Sequence, residues 1–444
     1  MKRIIYQALA RLWGDGKFFS WDENSLRYVR SLGADYIWLT GIPRHASGRD
    51  FVKGDPGCPY SISDWMDVNP YMAADSGRRM SEFDSLVKRV HDAGLKLIID
   101  YVPNHVARDY HGGIVHYDYC DGDWTDTLKN NWTSPQTLEE MHRILSFWIG
   151  RGVDGFRCDM VELVPPEAMK ELILKVRSYA PETLFVAEVY GRDNYRKYLY
   201  EVGFDLLYDK SGMYDVLRAV SCGRASAEEI TWTWQFLSDM QPRMLNFLEN
   251  HDEQRLASPD FLGDARKGIA ALAVSLLFND ASFMLYFGQE AGESASESAD
   301  GRTSIFDWCR PRAVGDLYAM VHSDEKGPSA CLSEDEFDIF RRYSELLDYA
   351  RLPVFREGSC WDLCYCNKSS QGFDSGRHFA FIRYDGSSTY LVFANFSGSA
   401  ATVRVVIPQE LRGVCPQQEV TVRCDPYDAA VFCLREPAKE SSVL

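Results

Sequence analysis

Up to about residue 350, apolar side chains follow two alternating patterns. Short runs with little polar interruption occupy 4–13, 35–40, 95–102, 153–159, 184–190, 204–208, 244–250 and 282–288. Between them, apolar positions repeat at helical spacing, as in 23–32, 81–93, 134–150, 166–179, 265–278 and 334–350. In 81–93 the residues Phe83, Leu86, Val87 and Val90 share one face, Ser81 reads as the N-cap and Gly94 as the stop. Ser134 reads as the cap of the next helix, with Pro135 in its first turn. Near-continuous apolar strands alternating with helices predict an α/β fold, with a parallel sheet covered on both faces. Eight such units close into a (β/α)8 TIM barrel.

After Pro353 the pattern changes. Short alternating runs at 379–384, 389–396, 403–407, 420–422 and 429–434 are separated by turn residues, with no helical period between them. They predict an antiparallel β-sandwich over 353–435, following a barrel of 1–350 and leaving a polar tail at 436–444. Two insertions follow the third and eighth strands. The first, near 106–131, is a short loop domain rich in Tyr, Asp, His and Gly, and the second spans 291–332. Both follow strand C-termini, where barrel sites are built.

Charge then narrows the partners. The formal net charge of -17 disfavours nucleic acid and anionic membrane surfaces. No apolar run approaches the ~20 residues of a membrane span, and the N-terminus enters a strand pattern without a signal-peptide apolar region. The expectation is a cytoplasmic protein. The 12 cysteines are scattered or, as with Cys360, Cys364, Cys366, Cys415, Cys424 and Cys433, spaced unlike zinc ligands, so they read as free thiols. Aromatics at 13% suit flat apolar faces such as sugar rings, although a large core accounts for most of them.

The fourth run carries the first chemistry. Side chains alternate along a strand, so Val153, Gly155, Arg157 and Asp159 share a face. A permanent cation beside a carboxylate favours its ionised form and suits a nucleophile, or else a structural ion pair. Other strand ends add Asp100, Asn104 and His105, then Glu188, then His251 and Asp252. Several acids at one mouth suit either Mg²⁺ binding or glycoside hydrolysis. Arg157 competes with a metal for Asp159, which favours the second. Glu188, preceded by the apolar run Phe185-Val186-Ala187, fits a protonated acid of raised pKa, and Asp252 would raise it further by like charge.

Four segments resemble motifs of the α-amylase family (glycoside hydrolase family thirteen). They are Asp100-Tyr-Val-Pro-Asn104-His105, Gly155-Phe-Arg157-Cys-Asp159, Glu188-Val-Tyr190 and Phe247-Leu-Glu-Asn-His251-Asp252. Weaker echoes are Tyr60-Ser-Ile-Ser-Asp64-Trp65 and Phe287-Gly-Gln-Glu290. The resemblance implies a retaining hydrolase of α-1,4-glucosidic bonds in α-glucans or malto-oligosaccharides. It implies Asp159 as nucleophile, Glu188 as general acid and then base, and Asp252 as stabiliser of the distorted sugar. Arg157 would orient Asp159, His105 and His251 would bond the sugar on the non-reducing side, and Tyr60 would stack on it. Asp100 would be a scaffold residue supporting Arg157 and His105.

The chemistry requires no cofactor, and no metal ligands are assigned. Asn104 nevertheless matches a position that ligates calcium in many relatives, which raises a structural calcium there. Trp124, Trp132 and Trp308 are candidate stacking platforms. Glu162 and Leu163 stand where many starch-cleaving relatives carry Lys-His, which leaves the site of the departing sugar open. The rival readings are a 4-α-glucanotransferase with the same residues, a non-catalytic carbohydrate-binding protein on the same fold, and a Mg²⁺-dependent barrel enzyme. Oligomeric state has no signature in the sequence.

Overall fold

The computed structural model describes residues 2–323 and 328–436. Eight parallel strands form a closed barrel, in chain order around the ring. They are β1 (Ile4–Leu9), β2 (Tyr36–Thr40), β3 (Lys96–Tyr101), β4 (Gly155–Cys158), β5 (Leu184–Ala187), β6 (Leu206–Tyr208), β7 (Met244–Phe247) and β8 (Ser282–Tyr286). Alternation sets which side chains fill the interior. Ile5, Tyr36, Trp38, Ile98, Leu184, Val186, Leu206, Tyr208, Leu245, Phe247 and Met284 form one buried cluster there. Gly155 shares this inward face with Arg157. A Cβ at Gly155 would lie 2.9 Å from the Cβ and carbonyl oxygen of Leu184, so the strands close tightly at that level.

The ladders are shorter than the apolar runs. β1 gives way to a 3-10 turn at Ala10–Leu12, and the segments after Ala187, Phe247 and Tyr286 leave their ladders. Those irregular ends form the carboxyl mouth. The helix at 81–93 also starts earlier than predicted, running Arg79–Asp92 behind a 3-10 turn at Ser76–Arg78. Asp75 caps that turn through Gly77 N at 2.9 Å, and the Ser81 hydroxyl donates back to the Arg78 carbonyl instead of capping. Ser134 does sit at the N-cap of the helix Pro135–Gly150, but its side chain makes no capping bond. Glu334–Arg351, the last barrel helix, has a full capping box between Ser333 and Glu336.

Within the insertion after β2, Pro43–His45 and Ile62–Val68 pair as an antiparallel hairpin, which the sequence reading did not foresee. Gly, Pro and Asp break that stretch and hide its period. The insertion after β3 holds a smaller pair, His105–Ala107 with Thr127–Lys129.

The C-terminal region has two antiparallel sheets. One orders β9 (Ser359–Asp362), β10 (His378–Tyr384), β11 (Thr389–Asn395) and β14 (Ala429–Arg435); the other pairs β12 (Ala401–Val406) with β13 (Glu419–Cys424). β9 and the short helices Pro353–Arg356 and Cys364–Asn367 were not anticipated. Phe278 from the barrel meets Phe379 and Phe381 with ring centroids 4.8 and 5.0 Å away. Arg383, fully buried, donates to the carbonyls of Phe278, Phe355 and Gly358 and pairs with Asp280 at 2.9 Å, so the junction is polar as well as apolar. Of the expected tail, 437–444 lies outside the described residues.

Candidate active site

Backbone hydrogen bonds that extend the barrel ladder past its strands fix both central acids. Asp159 N donates to Tyr101 O at 2.9 Å, and Glu188 N donates to Cys158 O at 3.1 Å. Asp252 is set differently. After β7 the chain turns on Asn250, whose side-chain oxygen accepts from Asp252 N at 2.9 Å and Glu253 N at 2.8 Å.

Arg157 is the hub. It is fully buried, and its guanidinium lies over the rings of Tyr60, Tyr208 and Trp38, 5.2 to 5.7 Å from their centroids. Nη1 donates to Asp159 Oδ1 at 2.6 Å, and Nη2 approaches Glu188 Oε1 to 2.8 Å. Asp100 Oδ1 and Asp252 Oδ2 stand further off, at 3.7 and 4.0 Å. One cation therefore serves several carboxylates, and it reaches Glu188 as well as the Asp159 expected from the sequence. Asp100 is sealed below the mouth, in register with Arg157, and accepts from Trp38 Nε1 (3.1 Å) and the Tyr60 hydroxyl (3.2 Å). Burial pushes its carboxyl up to about 7. It is a scaffold acid for Arg157, Trp38 and Tyr60; His105, which the resemblance added to its partners, is neighboured instead by Asn104 and the Trp124 ring.

Glu188 is deeply buried, at 3% exposure. Burial, helped by the negative charges of Asp159 and Asp252, pushes its carboxyl up to about 8 against the pull of Arg157 and one backbone N–H. That N–H belongs to Met160, which donates to Oε2 at 2.8 Å. Met160 adopts φ 44 and ψ 43, the left-handed region that costs a side-chain-bearing residue roughly 1–2 kcal/mol. The strained residue directly after Asp159 thus aims its amide at Glu188. On the other oxygen, the Tyr190 hydroxyl donates to Oε1 at 2.9 Å.

His251 and Tyr60 stack at 5.2 Å with rings 21° apart, and Tyr60 Oη lies 2.6 Å from His251 Nε2. Gln7 Nε2, on the inner face of β1, meets His251 Nδ1 at 2.8 Å. With Gln7 donating, the ring proton sits on Nε2, facing Tyr60 and, at 3.1 Å, Asp252 Oδ2. Burial holds His251 and His105 below the usual imidazole range, so both are neutral hydrogen-bonding groups.

Tyr60, His105, Asp159, Glu188, His251 and Asp252 all border one cleft of about 600 Å³, together with Trp124 and Tyr190. A second hollow of about 760 Å³ shares His251 and Asp252 and runs along the loop after β8 to Trp308. Trp124 therefore borders the first hollow and Trp308 the second. Trp132 borders neither hollow and bonds the Pro103 carbonyl through Nε1 at 3.1 Å.

Asn104 does not fit a calcium site. Its buried Oδ1 has no hydrogen-bond partner, as a metal ligand would. Its amide, however, donates to Asp121, whose two oxygens already hold the Lys129 ammonium at 2.8 and 2.9 Å. A divalent cation there would meet a fixed positive charge. Among the described residues, no three His, Cys, Asp or Glu side chains cluster as metal ligands.

Gln7, Met160 and Tyr190 had not been assigned parts in the site. The first was legible as a polar residue on an inward strand position. The other two depend on loop conformations that periodicity does not report.

Fold and geometry together define a parallel barrel with a carboxylate-rich cleft at its carboxyl mouth. The chain belongs to the alpha-amylase family, whose catalytic-domain model matches residues 23–130 and 115–336. It is 27% identical over 476 residues to an alpha-amylase of Haloarcula japonica, across 99% of this chain and 62% of that relative's length. It is also 25% identical over 243 residues to a mouse amino acid transporter heavy chain, across 44% of this chain and 32% of the relative. The fold matches that of a maltogenic alpha-amylase from Thermotoga neapolitana with a TM-score of 0.71 at 22% identity, covering 98% of this chain and 96% of the other.

Proposed function

We propose that this chain is a retaining α-glycosidase acting on α-1,4-linked glucans or malto-oligosaccharides by double displacement. The observation that carries the reading is the single guanidinium that touches both Asp159 and Glu188. One fork spans only a short gap. This suits the ~5–5.5 Å carboxyl separation of retaining enzymes better than the ~6.5–9.5 Å of inverting ones, which must admit a water. The alpha-amylase names of its relatives support the substrate class. Because the matched relatives also include a transporter heavy chain, family membership alone does not carry catalysis. The cleft supplies that support, since all three acids border it.

In the first step Asp159 attacks the anomeric carbon through Oδ2, because Arg157 holds Oδ1. Glu188 gives its proton to the departing glycosidic oxygen. In the second step the Glu188 carboxylate takes a proton from water, the water oxygen bonds the anomeric carbon, and the Asp159 ester breaks. Asp252, with 39% of its side chain exposed, and the neutral imidazoles His105 and His251 bind sugar hydroxyls through both stages.

Maltotriose watched by proton NMR tests this. Glucose and maltose, with the new chain end first appearing as the α-anomer, is the expected result. Longer oligosaccharides would make the protein a glucanotransferase. No product, for wild type and Asp159→Asn alike, would make it a binding protein. We also propose a reducing compartment, supported by 12 free cysteines, of which Cys158, Cys364, Cys415 and Cys424 are buried.

A further inference from the structure

Glu162 and Leu163 occupy the positions at which this chain departs from many starch-cleaving relatives. Leu163 is simply half-exposed. Glu162 has a fixed task. It lies in the 3-10 turn Val161–Leu163, away from the cleft lining, and reaches across to the loop after β5. Its Oε2 accepts from Tyr190 N at 2.7 Å and Gly191 N at 3.1 Å, and its Oε1 accepts from Asn194 Nδ2 at 2.7 Å. Gly191 is matched to this arrangement, because a Cβ there would stand 2.7 Å from Glu162 Oε1. A carboxylate that binds successive backbone amides fixes the path of that loop.

The loop so held carries Tyr190, whose ring borders the cleft and whose hydroxyl donates to Glu188 Oε1. The opposite oxygen, Oε2, accepts the Met160 amide. Both donors to Glu188 therefore trace to the three residues after Asp159, one directly and one through Glu162.

We infer that Glu162 is a positioning residue that holds the Tyr190 hydroxyl on Glu188, and that Tyr190 is a further catalytic residue setting when Glu188 gives and takes its proton. The inference rests on Glu188 being the acid of the proposed glycosidase. The charged and titratable groups facing Glu188 are Arg157 from β4, Asp159 after it, Tyr208 from β6, Asp252 after β7 and Tyr190 itself. Arg157 and the two donors favour the carboxylate; Asp159 and Asp252 favour the acid. Removing the hydroxyl takes away one stabiliser of the carboxylate, so Glu188 would keep its proton to higher pH.

The test is the pH profile of kcat on 4-nitrophenyl α-maltoside for wild type, Tyr190→Phe, Glu162→Gln and the double variant. Tyr190→Phe should move the basic limb up by about 0.5–1 pH unit. Glu162→Gln should move it the same way, and the double variant should move no further than Tyr190→Phe. A Glu162→Gln limb at the wild-type pH, or a shift that adds to that of Tyr190→Phe, would overturn the coupling. If Glu162→Gln does not fold, Glu162→Asp, which keeps the charge but shortens the reach, is read by the same two criteria. An active wild type with unmoved limbs in the variants refutes this inference alone. A wild type inactive on every α-glucan refutes the glycosidase reading and this inference with it.

Discussion

Two buried arginines in this barrel make an instructive pair. Arg255 and Arg157 are both fully enclosed, and both lie beside carboxylates that burial pushes upward. Arg255 is matched. It donates to Glu249 Oε2 at 2.9 Å, the Phe287 carbonyl at 3.0 Å and the Thr303 hydroxyl at 2.9 Å, and Leu256 N takes the other Glu249 oxygen at 2.7 Å. Glu249 itself is sealed, at 1% exposure. Arg157 is outnumbered, with Asp100, Asp159, Glu188 and Asp252 all within 4.0 Å of it. Three of those acids, Asp159, Glu188 and Asp252, also open onto a cleft. Neither burial nor a shifted carboxyl separates the two clusters, since Glu249 is pushed up to about 7 and Glu188 to about 8. What separates them is an excess of carboxyl groups over cations, three of them bordering a cleft. Such an excess is costly in the resting protein and useful only where a cationic transition state arrives.

The widest contrast should come from the acids. Glu188→Gln is expected to cut kcat by about 10²–10⁴-fold, and Asp159→Asn by more, without lowering the thermal midpoint, because Gln resembles the protonated Glu188 and Asp159→Asn relieves crowded negative charge. Glu249→Gln should do the opposite, destabilising by about 3–5 kcal/mol while the folded fraction keeps its kcat. Thermal melts and steady-state rates on one maltoside compare all three. The arginines come next. Arg255→Met should cost about 3–5 kcal/mol, whereas Arg157→Met should lose activity as well as stability. If Arg157→Met retained activity, the hub would be structural, like its counterpart.

A smaller effect is pH dependence. The Glu188 carboxyl is raised from 4.5 to about 8 in the folded chain, so the native state binds its proton more tightly than the unfolded state does. Its contribution to stability is complete below pH 4.5 and is lost as pH rises towards about 8. Catalysis by the protonated acid likewise fades through about pH 8. Chemical denaturation across this window should show a falling slope that Glu188→Gln flattens. The smallest effect concerns Lys129. Chelation should leave the midpoint unchanged, whereas Lys129→Met should lower stability by about 1 kcal/mol or less, because that ion pair is only partly buried. A midpoint that falls on chelation would restore calcium to the Asn104 region.

The matched pair also shows what the sequence could reveal. Arg157 and Asp159 were legible because a strand of period two puts them on one face. Glu188 and Asp252 were legible because apolar runs end just before each mouth residue. Glu249, two residues before His251, lies in the same motif, yet only its turn away from the cleft makes it structural. That turn is a loop geometry, and loop geometry was the recurrent blind spot. Met160 carries its left-handed backbone without the glycine or asparagine that would announce it. Tyr190 donates its hydroxyl to Glu188 and its amide to Glu162, 28 residues earlier, a pairing no spacing rule marks. The hairpin Pro43–His45 with Ile62–Val68 was hidden by a long polar link, and Asp75 replaced Ser81 as the cap through a turn that no spacing rule marks.

In the proposed double displacement Asp159 becomes covalently bonded to the sugar. Incubation with a fluorinated maltosyl fluoride, which slows the second displacement, followed by peptide mass mapping, tests this most directly. One added glycosyl mass is expected, confined to the peptide that contains Asp159 and absent from Asp159→Asn. A turnover-competent enzyme with no adduct, or an adduct on another carboxylate, would contradict it.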